Sequence, residues 1–337
     1  MEPRIQYAQT KDGVSIAFCV MGNGPPLVFV PPPPFCHVQL DWETSFAHVI
    51  QPLARAFRFV WYDSRGTGLS DRDAIDFSMD AMLRDIEAVV ARNGLETFAL
   101  ASIGAGVPIA VTYAATRPER ITHLVLSDGW AKWSDVEQLP AWQAEKALRG
   151  KDWDLYTEGY TAMVWGIDDP EFGRMMGKYL RACVEPEAHQ AAFAAWEDYD
   201  VSGLLPRIAA PTLVVQNQNS RFVSIQAGQR LAGRIPDASF LPVDDTTYAR
   251  LPVAIQEFIL HGTATAGTGD SGAFRTILFT DVEGSTALTQ RLGDAKAREL
   301  LREHERTVRE ALRAHGGSEV KTMGDGFMTS FSSATKA

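Results

Sequence analysis

Phe98-Ala-Leu-Ala-Ser-Ile-Gly-Ala-Gly-Val-Pro108 decides how this chain folds. Its first four residues form a short apolar run of the length expected for a strand buried on both faces. The surrounding stretch, Thr97 to Thr116, carries no charge over 20 residues, the length of a membrane span. Ser102, Gly104, Gly106 and Pro108 interrupt it near its middle, so a strand turning into a buried helix is the simpler reading. Similar runs recur on either side, at Pro26–Val30, Phe57–Tyr62, His123–Leu126 and Thr212–Val215, with helical patterns such as Met79–Arg92 between them. That alternation predicts an α/β architecture with a mostly parallel sheet.

Two regions depart from this rhythm. Six of the eight tryptophans fall between residues 130 and 200 (Trp130, Trp133, Trp142, Trp153, Trp165 and Trp196), among helix formers and without a strand-like run, which predicts a helical lid over about 130–205. The small, polar run from His261 to Gly272 has the composition of a flexible linker, and a new unit begins near Phe274. The predicted organisation is a first domain over 1–262, a linker over 263–273 and a second unit over 274–337.

Charge and cysteines bound the function. The 337 residues carry a formal −10; residues 274–337 hold 10 basic and 9 acidic side chains, which leaves −11 on the first 273. An acidic body repels phosphate backbones, so no nucleic-acid partner is expected. Cys19, Cys36 and Cys183 are odd in number and lack metal-ligand spacing, which argues against a disulfide framework or a structural zinc. The start has no secretory pattern and no membrane partner is implied, so a cytoplasmic location is expected.

Asp63-Ser-Arg-Gly-Thr-Gly-Leu-Ser70 after a strand, and Tyr113-Ala-Ala-Thr-Arg-Pro-Glu-Arg-Ile121, resemble the loop after the fourth strand and the end of the post-nucleophile helix in the α/β-hydrolase fold. The resemblance covers roughly residues 5–260. It implies a strained elbow whose central residue carries the nucleophile, with small residues two positions either side. Counting back from Pro118 centres that elbow on Gly104, flanked by Ser102 and Gly106; a register centred on Ser102 would place Leu100 at the tight position. Glycine offers no oxygen. The acid position falls in Gln216–Arg221, which supplies amides and the Ser220 hydroxyl, and the base position falls at Tyr248. No histidine lies between His189 and His261, so a serine hydroxyl has no imidazole to take its proton. The loop that would furnish an oxyanion amide is Pro31-Pro-Pro-Pro-Phe35, and proline has no N–H.

The first domain is therefore expected to keep a pocket and lose the hydrolytic machinery, with no cofactor. Phe35, Ser102, Gly104, Trp130, Trp133 and Trp165 are the expected pocket residues, suited to an apolar small molecule. The competing reading is that the indoles simply join lid to core.

In the second unit, Phe279-Thr-Asp-Val-Glu-Gly-Ser-Thr286 ends a strand in an aspartate and starts a helix. Leu300, Leu301, His304, Val308 and Leu312 follow at helical spacing, and Glu319-Val-Lys-Thr-Met-Gly-Asp-Gly-Phe327 forms a hairpin. Asp281 and Asp325 on adjacent strands would suit a pair of Mg²⁺ or Mn²⁺ ions, and the Glu283, Gly284, Ser285, Thr286 turn would present amides to phosphate. Together these segments resemble the start of the class III adenylate/guanylate cyclase catalytic domain, a ferredoxin-like α+β fold. The resemblance implies Asp281, the Val282 carbonyl and Asp325 as metal ligands, Lys321 on the purine, ATP or GTP as substrate, and a homodimer through a complete cyclase domain. The chain stops at Ala337, before that family's later strands, so the segment is expected to be inactive alone.

Taken as a whole, the sequence reads as a cyclic-nucleotide signalling protein with an inactive hydrolase-like sensing domain. The alternatives are an active α/β-hydrolase with non-standard residues, or a non-catalytic small-molecule binding module.

Overall fold

The computed structural model describes residues 3–43, 46–166, 170–244 and 248–261 and, of the remainder, 276–280, 291, 293–315, 318–323 and 326–331. The chain divides into two compact units, Met1–Ala266 and Gly267–Ala337.

In the first unit, β1 (Gln6–Gln9), β2 (Ser15–Met21) and β3 (Pro26–Val30) lead into α1 (Val38–Glu43) and α2 (Ala47–Ala56). Then come β4 (Arg58–Tyr62), α3 (Met79–Arg92), β5 (Phe98–Ile103), α4 (Gly106–Thr116) and β6 (Ile121–Ser127). The lid comprises α5 (Pro140–Leu148), α6 (Trp153–Thr161), a π turn (Ala162–Gly166), α7 (Pro170–Cys183) and α8 (Pro186–Glu197). The sheet then closes with β7 (Thr212–Asn217), α9 (Ile225–Ala232), β8 (Ala238–Val243) and α10 (Leu251–His261). The eight strands lie in the order β1-β2-β4-β3-β5-β6-β7-β8, antiparallel at the β1-β2-β4 edge and parallel from there on.

Helices cover both faces of the sheet, which is why its central strands are apolar throughout instead of alternating. Every residue of β7 is buried, as are the first five of β5. Helix α4 follows the same logic: ten of its residues are buried, so it is apolar on all sides. Helices α3, α6 and α9 start on Ser78, Asp152 and Ser224, whose side chains accept from backbone amides in the first turn. The 20 uncharged residues resolve into β5 and α4, and no described helix is long and apolar enough to cross a membrane.

The loop Asp63–Ser70 is organised by its own carboxylate, which accepts from the amides of Val38 and Leu69 at 2.7 Å each. Gly68 has φ +53°, and a Cβ there would lie 2.1 Å from Asp63 Oδ2, so both backbone geometry and space demand glycine. This loop also holds the lid. The Gly68 amide and Arg72 Nη1 both donate to the Cys183 carbonyl at 2.7 Å. Elsewhere Trp142 Nε1 donates to the Phe222 carbonyl at 2.7 Å, joining α5 to the loop after β7.

In the second unit, β9 (Thr276–Thr280), α11 (Asp294–His315), β10 (Ser318–Met323) and β11 (Gly326–Phe331) form a strand–helix–hairpin succession whose antiparallel sheet runs β10-β11-β9. The linker assigned to 263–273 lies outside the described residues.

Candidate functional site

Strand β5 turns into α4 through Gly104, whose φ of +57° is a conformation that glycine adopts without strain. Its amide donates to the Ser127 carbonyl at 2.9 Å, fixing the turn against β6. A side chain added at Gly104 would meet little, only Pro32 Cβ at 3.7 Å. Gly106 is the crowded position: a Cβ there would lie 2.4 Å from Ser102 Oγ and 2.6 Å from the Pro31 carbonyl oxygen. The small residues two positions either side of Gly104 are therefore where β5, α4 and the end of β3 approach one another.

Above this turn lies a cavity of about 440 Å³. Phe35, Gly104 and Trp130 line it; Ser102 and Trp133, assigned to the pocket from sequence, do not. Ser102 is buried and turned toward β3, its hydroxyl donating to the Val30 carbonyl at 3.0 Å. Trp133 instead packs edge-on against Trp130 and Trp142, with ring centroids 5.9 and 5.0 Å away. Trp165 belongs to the π turn, and its side chain lies outside the described residues.

Ser220 and Tyr248 both reach the cavity. The Ser220 hydroxyl accepts from the Val223 amide at 3.2 Å, and Tyr248 has φ +60°. At the proline loop, the Phe35 amide donates to the Pro32 carbonyl at 2.7 Å, so the first N–H after four prolines closes a turn.

Two carboxylates in the cavity wall escaped the sequence reading. Asp41 on α1 accepts from the Tyr179 hydroxyl of α7 at 2.5 Å, and desolvation raises its carboxyl to about 7 against the lowering effect of that bond. Asp128 immediately follows β6 with φ +46°, and its Oδ1 accepts from Gln216 Nε2 at 2.8 Å and the Asn217 amide at 2.7 Å. A carboxylate that accepts from the last two residues of β7 explains how an Asp tolerates a left-handed backbone there. Asp128 directly follows a strand end, which is the signal that could have found it; Asp41 sits in a short helix with no such mark.

Of the second unit's expected ligands, Asp281, Val282, Glu283, Gly284, Ser285, Thr286 and Asp325 lie outside the described residues. Lys321 pairs with Met328 across the hairpin, and its side chain is likewise outside them.

The sheet order, the glycine turn and the lid define an α/β-hydrolase fold, and comparison with known proteins agrees. Residues 35–152 match the family described as alpha/beta hydrolase fold, and residues 274–337 match the adenylate and guanylate cyclase catalytic domain. A protein named putative carbamate hydrolase RutD from Rhizobium rhizogenes is 28% identical over 224 residues, covering 63% of this chain and 84% of that protein. The AB hydrolase superfamily protein YisY of Bacillus subtilis is 25% identical over 253 residues, covering 70% and 89%. Among solved structures, a hydrolase from Pseudomonas aeruginosa superposes with a TM-score of 0.65 at 21% identity, covering 77% of this chain and 97% of its own. An enol-lactonase from Burkholderia xenovorans gives 0.64 at 17% identity, covering 76% and 98%. These comparisons shift the balance: hydrolase likeness extends through most of the first unit, whereas the cyclase likeness that the sequence reading put first spans 274–337 alone.

Proposed function

We propose that the first unit takes up a small, largely apolar molecule in the cavity above Gly104 and binds it without Ser–His hydrolysis. The observation that carries this reading is the turn itself. The residue at its centre has no side chain, and the neighbouring Ser102 hydroxyl is committed to Val30. A phenol replaces an imidazole at Tyr248. The test is calorimetry of the 337-residue chain with apolar ligands beside hydrolysis of a p-nitrophenyl ester panel. Binding without turnover is expected, and turnover lost in Ser102→Ala would overturn the reading.

A second reading, hydrolysis by other groups, has the support of the hydrolase relatives and of the Asp41–Tyr179 pair in the cavity wall, a carboxyl near neutrality beside a phenol. Ester or carbamate turnover abolished by Asp41→Asn and untouched by Ser102→Ala would establish it.

For the second unit we propose a nucleotide-cyclase segment in which Asp281, the Val282 carbonyl and Asp325 hold Mg²⁺ or Mn²⁺. Glu283–Thr286 and Lys321 would contact ATP or GTP, in a cytoplasmic protein that dimerises through a complete domain. Support comes from the family match over 274–337. Because no cyclic product is expected from this segment alone, the test is Mn²⁺-dependent binding of radiolabelled ATP and GTP to the 337-residue chain: binding lost in Asp281→Asn and in Asp325→Asn supports the reading, and no Mn²⁺-dependent binding opposes it.

A further inference from the structure

Most of the cavity wall offers an occupant carbon alone. Trp130 and Trp196 meet edge to face with ring centroids 5.8 Å apart, and their indole nitrogens are shut inside that cluster. Trp142 and Trp61 spend their N–H groups on the Phe222 and Val38 carbonyls, at 2.7 and 3.3 Å. Phe35 packs on Trp196 at 6.2 Å and on Tyr160 at 5.4 Å, which extends the flat aromatic surface.

The end of β7 differs. Asn217, its last residue, lines the cavity and is only 5% exposed. Its Oδ1 accepts from the Asn219 amide at 2.9 Å, which fixes the carboxamide and leaves Nδ2 a donor with no partner among the described residues. Unlike the two indole nitrogens, Nδ2 keeps open surface, and β7 is buried along its whole length, so that surface faces the cavity. The Tyr160 hydroxyl on lid helix α6 is also unpartnered among the described residues and not sealed. A hydroxyl donates or accepts and so admits many partners, whereas the amide NH₂ only donates. Asn217 is therefore the group that discriminates.

Its surroundings narrow the choice further. The Asn217 backbone amide donates to Asp128 Oδ1 at 2.7 Å, so a carboxylate drawn to Nδ2 would face a buried carboxyl group. An ammonium group brings no acceptor. A hydrocarbon would displace water from Nδ2 without replacing its hydrogen bond, and so would forfeit affinity.

We infer that Asn217 sets the specificity of this cavity by donating through Nδ2 to the carbonyl oxygen of an uncharged molecule with a flat apolar body. The inference rests on the binding reading above and supplies its ligand class. The body fills apolar space and the oxygen fixes orientation, a division common to small-molecule sites.

The experiment measures equilibrium dialysis of the full chain at pH 8 against four probes on one skeleton: 2-acetylnaphthalene, 2-ethylnaphthalene, 2-naphthoate and 1-(2-naphthyl)ethylamine, the last bound as its ammonium. The ketone is expected to bind about tenfold more tightly than the hydrocarbon, the size of one buried hydrogen bond, and more tightly than either ion. In Asn217→Leu, of similar volume, that ratio should collapse toward one through loss of ketone affinity alone. In Ser102→Ala, outside the cavity, it should persist. Should Asn217→Leu fail to fold, the wild-type ratios still decide. Equal binding of ketone and hydrocarbon, tightest binding of an ion, or an unchanged ratio in folded Asn217→Leu would overturn the inference and leave the binding reading standing. No binding of any of the four would overturn both.

Discussion

The Tyr179 hydroxyl donates to Asp41 Oδ1 at 2.5 Å, joining lid helix α7 to helix α1 in the wall of the cavity. Desolvation is the main reason the Asp41 carboxyl rises to about 7 from the ordinary 3.8. Between about pH 4 and 7 the folded chain thus keeps a proton that the unfolded chain has released. Stability attributable to this group is complete at the acid end and is lost as pH rises through that window. Thermal melts at pH 4.5, 6 and 7.5 should show wild type losing a few degrees relative to Asp41→Asn as pH rises. Parallel profiles would clear Asp41 of the effect.

Gly104 and Gly106 should respond in opposite order to their exposure to ligand. Ser at 104 meets open space and faces only the left-handed backbone cost of about 1–2 kcal/mol. Ala at 106 drives a methyl into Ser102 Oγ and the Pro31 carbonyl, an overpacking that costs more than this. Urea midpoints should rank wild type above Gly104→Ser and that above Gly106→Ala. Gly104→Ser should also leave p-nitrophenyl acetate untouched, because Tyr248 offers no imidazole to activate the new hydroxyl.

Ser102→Ala removes a buried hydrogen bond to Val30 and should cost about 1 kcal/mol. Ligand affinity should stay as it was, since Ser102 does not line the cavity. Denaturation and calorimetry on the same preparation separate the two effects, and an affinity loss would contradict the described orientation.

His189 lies buried in the lid, its Nε2 2.9 Å from the Tyr156 hydroxyl, which donates to Glu145 at 2.9 Å; Nε2 therefore carries the proton and donates. Desolvation, aided by the Arg149 charge, lowers the imidazole to about 3. Here the sign reverses. The unfolded chain binds a proton below about 6.5 that the folded chain refuses, so stability is present above that value and drains away as pH falls toward 3. His189→Gln should blunt the acid loss, read as the tryptophan fluorescence shift between pH 7 and 4.

Much of this fold was legible because its strands are buried on both faces. Pro26–Val30 coincides with β3, Met79–Arg92 with α3, and the runs at Phe98, His123 and Thr212 fall inside β5, β6 and β7. The two edges of the sheet were not: β1 mixes buried and exposed positions, β2 mixes buried with half-buried ones, and β8 at the opposite edge is only half covered along most of its length. At the site, Gly104 could be reached by counting along α4, whereas the placement of Ser102 could not. A small hydroxyl two residues before a tight turn can face the cavity or the neighbouring strand, and only the close approach of Val30 decides. Asp41 and Trp196 were missed for the same reason. Their roles arise from contacts with residues far along the chain, Tyr179 and Trp130, that no local pattern encodes.

The hydrogen bonds from Arg72 and Gly68 to Cys183, from Trp142 to Phe222 and from Tyr179 to Asp41 fasten the lid to the body at separate places. Ties at three separate points set the position of the cavity's roof before anything enters, so the shape of the space belongs to the fold itself.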